Sequence, residues 1–375
     1  MCDDEPQAEA QLVPLMRALV EPRLSVLGRN PFTQAHVYTT ATLARLALQD
    51  LNVLSEFPHL QHVDCSDNAI NSLAPLQHLP LLLSVDASNN QLSQPAKLLP
   101  LLLLDFATPR CTPSNAWVGG GKWIGSLLRV AKLSHNHFER MRELSVSHQF
   151  LQELHLAHNG ISCIEGVAQL RFLRVLDLSH NRLTSTHGLL DADTNSKSLE
   201  ALEWLVLSHN RIESVDEVAS LARLEHLDLA HNNMKQLSSI GSCERLQQLD
   251  LSSNDLEDVN ELNHLIPLRF LQRLALHGCP LVEREDSPVF YRARVLRRLL
   301  QLHRLDGDDV SAKEKVKARV MHGSDVAARQ RVFAKHLPGQ QFANFLAPLE
   351  FEDDDELERF CKERMAGRER EEVAD

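Results

Sequence analysis

Five histidines recur at a regular position, and they are the residues of this chain whose type and spacing could do chemistry. Each directly precedes an asparagine: His135, His158, His180, His209 and His231. If the surrounding segments stack as neighbouring strands, about 4.8 Å apart, these side chains form a column that could bind a metal ion or sense pH. No cysteine or carboxylate recurs beside them to complete a ligand set. We therefore expect a recurring loop residue, with no metal and no cofactor.

Motifs that carry catalysis are missing from the rest of the sequence. Three glycines precede Lys122, but Ala116 stands where a phosphate-binding loop needs its first glycine. Trp123 then replaces the serine or threonine that such a loop needs after its lysine. We find no nucleophile elbow, no HExxH zinc motif and no kinase signature. The sequence therefore predicts a protein that is not an enzyme and has no small-molecule substrate.

Charge and cysteine usage restrict the partners and the compartment. The formal charge of −12 argues against nucleic acid or an anionic membrane as the main partner. The seven cysteines are scattered and form no CxxC pair, which favours reduced thiols over a disulfide framework. The acidic N-terminus is unlike a signal or transit peptide, and the longest apolar stretch, 98–104, is too short to span a bilayer. We expect a cytoplasmic protein with protein partners.

An internal repeat organises most of the chain. The pattern LxxLxLxxN is clearest as LQELHLAHN (151–159), LRVLDLSHN (173–181) and LEHLDLAHN (224–232). Most successive asparagines are 22 or 23 residues apart, a constancy that indicates stacked structural repeats. Eight asparagines share this position: Asn68, Asn90, Asn136, Asn159, Asn181, Asn210, Asn232 and Asn254. Two outer copies, 43–51 and 271–279, lack the asparagine.

The parts of this unit predict an α/β fold, a leucine-rich-repeat solenoid. The LxL piece is a short strand whose leucines point inward, and successive strands pair in parallel to form a concave sheet. The asparagine is buried at the turn, where a ladder of amides satisfies backbone groups of adjacent turns. A 22-residue period leaves too little chain for a long helix, so we expect short 3₁₀ or irregular turns on the convex side.

One region of the array is defective. Only a poor copy, 101–109, fits there, and Pro109 occupies the position of the ladder asparagine, so we expect a break in cooperativity. The run that follows, 110–126, matches no part of the repeat. Three interpretations of it stay open: a flexible surface loop, a binding segment anchored by Trp117 and Trp123, and translated non-coding sequence.

The ends of the array predict caps, because a solenoid must cover its terminal cores. We expect an N-terminal helical cap and lead-in segment over 1–42, and repeats in about ten strands over 43–309, including a helical C-terminal cap at 277–309. The charged tail, 310–375, is either a partly helical solvated appendage or a docking segment that folds on a partner. The polar run 191–198 is interpreted as a loop insertion in a regular unit.

Two positions of each strand are predicted to face the concave surface, where repeat arrays commonly bind. The later position is mostly aspartate, as in Asp64, Asp86 and Asp105, so the face should be acidic and suit a basic partner. Alternatively, these aspartates only keep the strands soluble. Trp204 is a candidate hot spot because it is the aromatic residue predicted there. The candidate partner-binding residues are Trp204, Glu153, His155, Asp177, Val206, His226, Asp228, Gln248, Asp250 and Arg273.

The end of the array resembles the C-terminal cap of the 22-residue leucine-rich-repeat class. The resemblance rests on Pro280-Leu281, Tyr291-Arg292, Val295-Leu296 and Leu305-Asp306-Gly307. Cys279 stands where this class usually has asparagine, so we expect one ladder contact to be missing. The class includes the regulatory subunit of protein phosphatase 1 and several axonemal proteins, which implies a protein-binding scaffold.

A narrower resemblance covers 34–92, which is similar to the ciliary leucine-rich-repeat proteins associated with radial spoke heads. It is carried by AHxY (35–38), VDxSxN (63–68) and the LxPLxxL turn (73–79). This resemblance implies a structural or assembly role in the axoneme of a cilium or flagellum. The alternative is a phosphatase regulatory subunit that binds through the concave face, for which we would expect more aromatic residues there than Trp204.

Overall fold

The fold is that of a leucine-rich-repeat solenoid. The computed structural model describes residues 17–30, 34–92, 127–141, 150–168, 170–190, 199–283 and 288–322, together with Arg331 and Ala334. The chain divides into two compact units. The first comprises Met1–Leu183 and His187–Leu202, and the second comprises Thr184–Thr186 and Glu203–Asp375.

In its described part, the first unit is a stack of strands in chain order. The strands are β1 (Leu24–Arg29), β2 (His36–Thr42), β3 (His62–Asp64), β4 (Ser84–Asp86), β5 (Val130–Lys132), β6 (Glu153–His155) and β7 (Val175–Asp177). The strands β1 and β2 form an antiparallel hairpin. From β2 to β7 each strand pairs in parallel with the next. Short 3₁₀ helices occupy Glu21–Arg23, Asn52–Glu56 and Ala74–His78.

The second unit continues the same plan and ends in helices. Its strands are β8 (Trp204–Val206), β9 (His226–Asp228), β10 (Gln248–Asp250), β11 (Arg273–Ala275), β12 (Arg304–Leu305) and β13 (Asp308–Asp309). They pair in parallel up to β12, and β12 turns back antiparallel into β13. The 3₁₀ helices are Asp216–Ser220, Ile240–Ser242 and Val259–Leu265, and the α-helices are α1 (Pro280–Glu283), α2 (Pro288–Arg298) and α3 (Ala312–His322).

The core is built from the middle residue of each strand and from the leucines that flank it. Leu154, Leu176 and Leu205 are such middle residues, and none of them is exposed to solvent. Burying a leucine side chain contributes about 1.5–3 kcal/mol, so the repeated leucines supply most of the free energy that holds the stack together. The expected short 3₁₀ or irregular turns are confirmed. The connections after β2, β3, β8, β9 and β10 contain 3₁₀ segments of three to seven residues, and the described part of the connection after β6 is irregular.

The asparagines form the ladder that joins one repeat to the next. The Nδ2 of Asn232 donates to the carbonyl oxygens of Leu207 in the preceding repeat and Leu229 in its own repeat, each at 3.0 Å. Its Oδ1 accepts from the amide of Ile212 at 3.0 Å. Asn181 repeats this arrangement in the first unit with Leu156, Leu178 and Ile161. Each asparagine thus satisfies buried backbone groups that the turn would otherwise leave without partners.

The first strand of the parallel stack lies earlier than the sequence predicts. The copy at 43–51 implies a strand at 45–47, but the strand residues that pair with β3 are Thr40–Thr42. Arg45 and Ala47 have φ angles of 60° and 55°, which a strand does not allow. The prediction was wrong here because the buried leucines of this copy, Leu43, Leu48 and Leu51, belong to the turn that follows the strand.

The expectation of a repeat at 101–109 between two strands is wrong. Those residues, with Leu103 and Asp105, lie outside the described residues, but β4 pairs directly with β5, so that Ser84 is opposite Val130. The ladder also continues without a gap, since Asn136 donates to Ala87 and accepts from the amide of Leu92. The sheet and the ladder are therefore continuous from β4 to β5, and the break in cooperativity stays a prediction. Asn136, and not Pro109, occupies the ladder position after Asn90, because proline has no side-chain amide.

The C-terminal cap extends further than residue 309. Ser311 and Glu314 form a reciprocal capping box at the start of α3. Arg292 of α2 then holds Glu314 at 2.9 Å, while Ala318 is fully buried. Part of the segment that the sequence assigns to a charged tail is thus folded against the cap.

Several predictions concern residues that lie outside the described part of the chain. They are the helical cap before residue 17, the insertion 110–126 with Trp117 and Trp123, the loop 191–198 and the tail beyond Ala334. Residues 17–20 are helical and lead into the hairpin of β1 and β2. Within the described residues, no helix is long and apolar enough to cross a lipid bilayer.

Candidate functional site

The outward-facing first and third residues of the three-residue strands form a surface in each unit, which we call the strand face. In the first unit it comprises His62, Asp64, Ser84, Asp86, Val130, Lys132, Glu153, His155, Val175 and Asp177. In the second unit it comprises Trp204, Val206, His226, Asp228, Gln248, Asp250, Arg273 and Ala275. The ten candidate binding residues all lie on a strand face, three in the first unit and seven in the second. Their role in binding stays a prediction.

The aspartates of the strand face have a structural role that the sequence interpretation missed. In each case the carboxylate Oδ1 accepts a hydrogen bond from the backbone amide two residues later. Asp64, Asp86, Asp177, Asp228 and Asp250 make this contact at 2.9–3.1 Å. The carboxylates thus satisfy the amide that follows each strand. The recurring DxS pattern was the signal for this turn, because the serine hydroxyl often binds the same oxygen.

On the strand face of the first unit, charged side chains pair with one another. Lys132 lies 3.8 Å from Asp86. His155 lies between Glu153 at 3.7 Å and Asp177 at 3.8 Å, which are ion-pair distances longer than a good hydrogen bond. Asp177, more than Glu153, raises the pKa of His155. Burial opposes ionisation of Asp177, but His155 and the turn amide outweigh it and lower the pKa of that carboxyl.

On the strand face of the second unit, Trp204 stacks on His226. The two ring centroids are 3.6 Å apart and the rings are 19° from parallel. Trp204 nevertheless stays 44% exposed, so part of the stacked indole faces solvent. Burial is the main cause that lowers the pKa of His226, and the charge of Arg273 adds to it. The Nδ1 of His226 is buried and has no hydrogen-bond partner among the residues that the structure describes.

Trp204 stands at one end of a groove of about 470 Å³. It is lined by residues of β8, β9, β10 and β11 and by the cap residues Arg304, Asp306 and Gly307. We call this the Trp204 groove. The sequence interpretation missed Arg304, because it lies in the cap, where the repeat pattern no longer applies. Arg304 is nonetheless the register partner of Arg273.

The charges of the Trp204 groove are unequally satisfied. Asp228 and Asp250 hold the turn amides, and burial raises the pKa of Asp228. Asp306 uses both carboxylate oxygens, accepting from the amide of Leu276 and from the hydroxyl of Tyr291. Arg304 pairs with Asp309 at 2.9 Å.

Arg273 differs from these groups. Its side chain is exposed and makes no hydrogen bond or ion pair with another residue that the structure describes. It is therefore a cation of the groove that is free to bind a partner.

The histidine column is explained by backbone conformation. The five histidines have φ angles of 52–55°, in the left-handed region, where histidine, asparagine and aspartate are favoured among residues other than glycine. Asp67, Asn89 and Ser253 occupy the same position in other repeats. The rings stack with centroids 3.8–4.1 Å apart, so their nitrogens do not converge on one point. Over the described chain, no group of three or more histidine, cysteine or acidic residues is placed to hold a metal ion.

Cys279 replaces the ladder asparagine more fully than we expected. Its thiol donates to the carbonyl oxygen of Leu251 at 3.1 Å, the same kind of link to the preceding repeat that the asparagines make. Burial raises the pKa of this thiol, which keeps it protonated and able to donate. The expectation of a missing ladder contact at this position is therefore wrong for the donor side.

Comparison with known proteins identifies the repeat and the fold. Residues 149–190 match a family model described as leucine rich repeats (2 copies), and 190–234 and 200–256 match one described as leucine rich repeat. No curated protein matches the chain.

Solved structures share the fold at low sequence identity. The chain is similar to the leucine-rich repeat domain of APL1B at 18% identity and a TM-score of 0.50, over 81% of this chain and 79% of that one. It is similar to the APL1 leucine-rich repeat domain at 21% identity and a TM-score of 0.50, over 72% of this chain and 62% of that one. An internalin, InlF of Listeria monocytogenes, is 16% identical with a TM-score of 0.43, over 80% of this chain and 96% of that one. The matched segments, which together span 149–256, are therefore leucine-rich repeats, and the chain has the fold of a leucine-rich-repeat solenoid. Leucine-rich-repeat domains generally serve as protein-interaction scaffolds.

Proposed function

We propose that this chain is a non-enzymatic scaffold that binds a partner protein through the Trp204 groove. The observation that carries the proposal is the exposed indole of Trp204, held in one orientation by its stack on His226. A large aromatic side chain that is already ordered buries much apolar area at a small entropic cost, which is the usual property of a hot spot.

The remaining candidate residues fit the same proposal in different ways. Val206 lies on the same strand as Trp204 and adds apolar area. Gln248 lies two strands away, on β10, and adds hydrogen-bonding capacity. Glu153, His155 and Asp177 lie on the strand face of the first unit and already contact one another. We therefore assign the hot spot to the second unit and the role of a polar surface to the first.

A pair of matched variants tests the site. Partners are first identified by proximity labelling of the full chain, and the affinity of the purified partner is then measured. Trp204→Ala should weaken binding at least about 30-fold, the effect of losing a hot spot of about 2 kcal/mol. Phe270→Ala is the control, since Phe270 is a 59% exposed aromatic of the same unit that lies outside the groove. Equal effects of the two variants would contradict the site.

We further propose that the partner belongs to the axoneme of a cilium or flagellum, where the protein acts as a structural or assembly component. The support is the resemblance of 34–92 to ciliary leucine-rich-repeat proteins associated with radial spoke heads. The test is to tag the chain in a flagellated cell and extract with detergent. Retention on the axoneme supports this role. A detergent-soluble pool that co-purifies with a phosphatase catalytic subunit would favour the regulatory-subunit alternative instead.

A further inference from the structure

The free charge of the Trp204 groove is opposite in sign to the charge that the sequence suggests. The aspartates there are already hydrogen-bonded to the turns that follow their strands. Arg273 and Arg304, by contrast, lie opposite each other on adjacent strands, and like charges at such positions repel. Asp309 neutralises Arg304 through a contact at 2.9 Å, but Arg273 has no such carboxylate among the described residues.

A carboxylate from a partner would relieve this repulsion. Arg304, which lines the groove, already makes a contact of this kind, because its Nε donates to the exposed carboxylate of Asp309. A second carboxylate on Arg273 would form a charge-assisted hydrogen bond, which is stronger than a bond between neutral groups. The groove therefore fits an acidic group at the Arg273 end and a large apolar group at the Trp204 end.

The distance between these two ends defines the partner further. Trp204 and Arg273 are both first residues of their strands, and β8 and β11 are three steps apart. At about 4.8 Å a step, the two side chains are separated by about 14 Å. An extended peptide advances about 3.4 Å per residue, so about four residues cover this distance. Residues that far apart in an extended chain point to the same face, as the groove requires.

We propose that the Trp204 groove binds an extended segment of a partner protein in which a large apolar side chain and a carboxylate are about four residues apart. The apolar side chain packs on the exposed part of the Trp204 indole, and the carboxylate binds Arg273. The residue midway between them lies between the positions of His226 and Gln248, and the amide of Gln248 can bind its side chain or backbone. This proposal rests on the proposed function, since it names the partner chemistry of the same groove.

The experiment is a selection of peptides from a random displayed library against the folded full chain. Wild-type protein should enrich sequences that carry an aromatic or large aliphatic residue and an aspartate or glutamate four positions apart, in either order. Arg273→Glu should shift the acidic position to lysine or arginine. A peptide selected on wild type should lose affinity for Arg273→Glu by at least about tenfold, and its binding should weaken as salt is raised.

Arg245→Glu is the matched control, because Arg245 is an exposed arginine of the same unit that does not line the groove. It should leave the affinity within about twofold, and circular dichroism of each variant verifies that it is folded. Selected peptides without this spacing, no selected peptide at all, or an affinity that Arg273→Glu leaves unchanged would overturn the inference. If Trp204→Ala still abolishes binding while Arg273→Glu has no effect, only the requirement for an acidic residue fails. If neither Trp204→Ala nor Arg273→Glu changes the affinity, the proposed function fails together with this inference.

Discussion

The role of the asparagine ladder in stability can be tested at Asn232, and the size of the effect follows from the hydrogen bonds that this side chain makes. Asn232→Ala removes the acceptor of the Ile212 amide, which lies in a fully buried residue, and leaves that N–H without a partner. It also removes one of the two side-chain amides on each of the carbonyls of Leu207 and Leu229, and the side-chain donor to the carbonyl of Ala230. An unsatisfied buried donor costs about 1–3 kcal/mol, and each weakened carbonyl costs less. We expect the free energy of unfolding to fall by about 3 kcal/mol.

The assay is urea unfolding followed by far-UV circular dichroism, combined with hydrogen exchange of the segment that contains Ile212. The Ile212 amide should lose protection in the variant, because its acceptor is gone. Asn233→Ala is the control, since Asn233 is the adjacent asparagine but is exposed and makes no side-chain hydrogen bond to the described residues. It should change stability by less than about 0.5 kcal/mol. A loss below about 1 kcal/mol for Asn232→Ala, or equal losses for the two variants, would refute the role that we assign to the ladder.

Three further predictions concern the first unit. Asp177→Asn should lower the pKa of His155 in an NMR titration, and since the wild-type pKa is raised, the contact with Asp177 stabilises the fold at acid pH and is lost as pH rises through that pKa; an unchanged pKa would contradict the pairing. His158→Gly should be nearly neutral in thermal unfolding, whereas His158→Val should cost about 1–2 kcal/mol, because φ is 54° there; equal effects would argue against a backbone role. Gly188→Ala should cost more than about 2 kcal/mol in chemical unfolding, because φ is 102° and the new Cβ would overlap the carbonyl oxygen of Ile164; wild-type stability would show that the loop can move.

The local unit could be predicted from the sequence because it depends on residues close together in the chain. Alternation within LxL specifies which strand residues are inward, so the described strands from His62–Asp64 to Arg273–Ala275 were predicted at the observed residues. Their pairing was also predicted correctly, except between β4 and β5. The asparagine position follows from a buried amide that each turn needs. The same logic failed at 43–51, because leucines of a turn have the spacing of a strand when only the pattern is considered.

Pairing between distant segments was decided by the tertiary structure alone. The period of the sequence places a repeat at 101–109, but β4 pairs with β5, since Asn136 and not Pro109 can continue the hydrogen bonds of the ladder. Sequence spacing cannot show which segment a strand will select, because that choice depends on which pairing satisfies the buried amides of both partners.

Part of the candidate site could likewise be predicted from the sequence, and part was decided by the tertiary structure. Residue types in the repeat were enough to single out Trp204 and the column of aspartates. The stack of Trp204 on His226, the hydrogen bonds that occupy the aspartates and the position of Arg304 beside Arg273 depend on side chains from different strands. The sequence by itself thus determined the repeat, its strands and its exposed positions. The tertiary structure decided which of the exposed charges remain free, because a charge is satisfied by its neighbours in space and not by its neighbours in the chain.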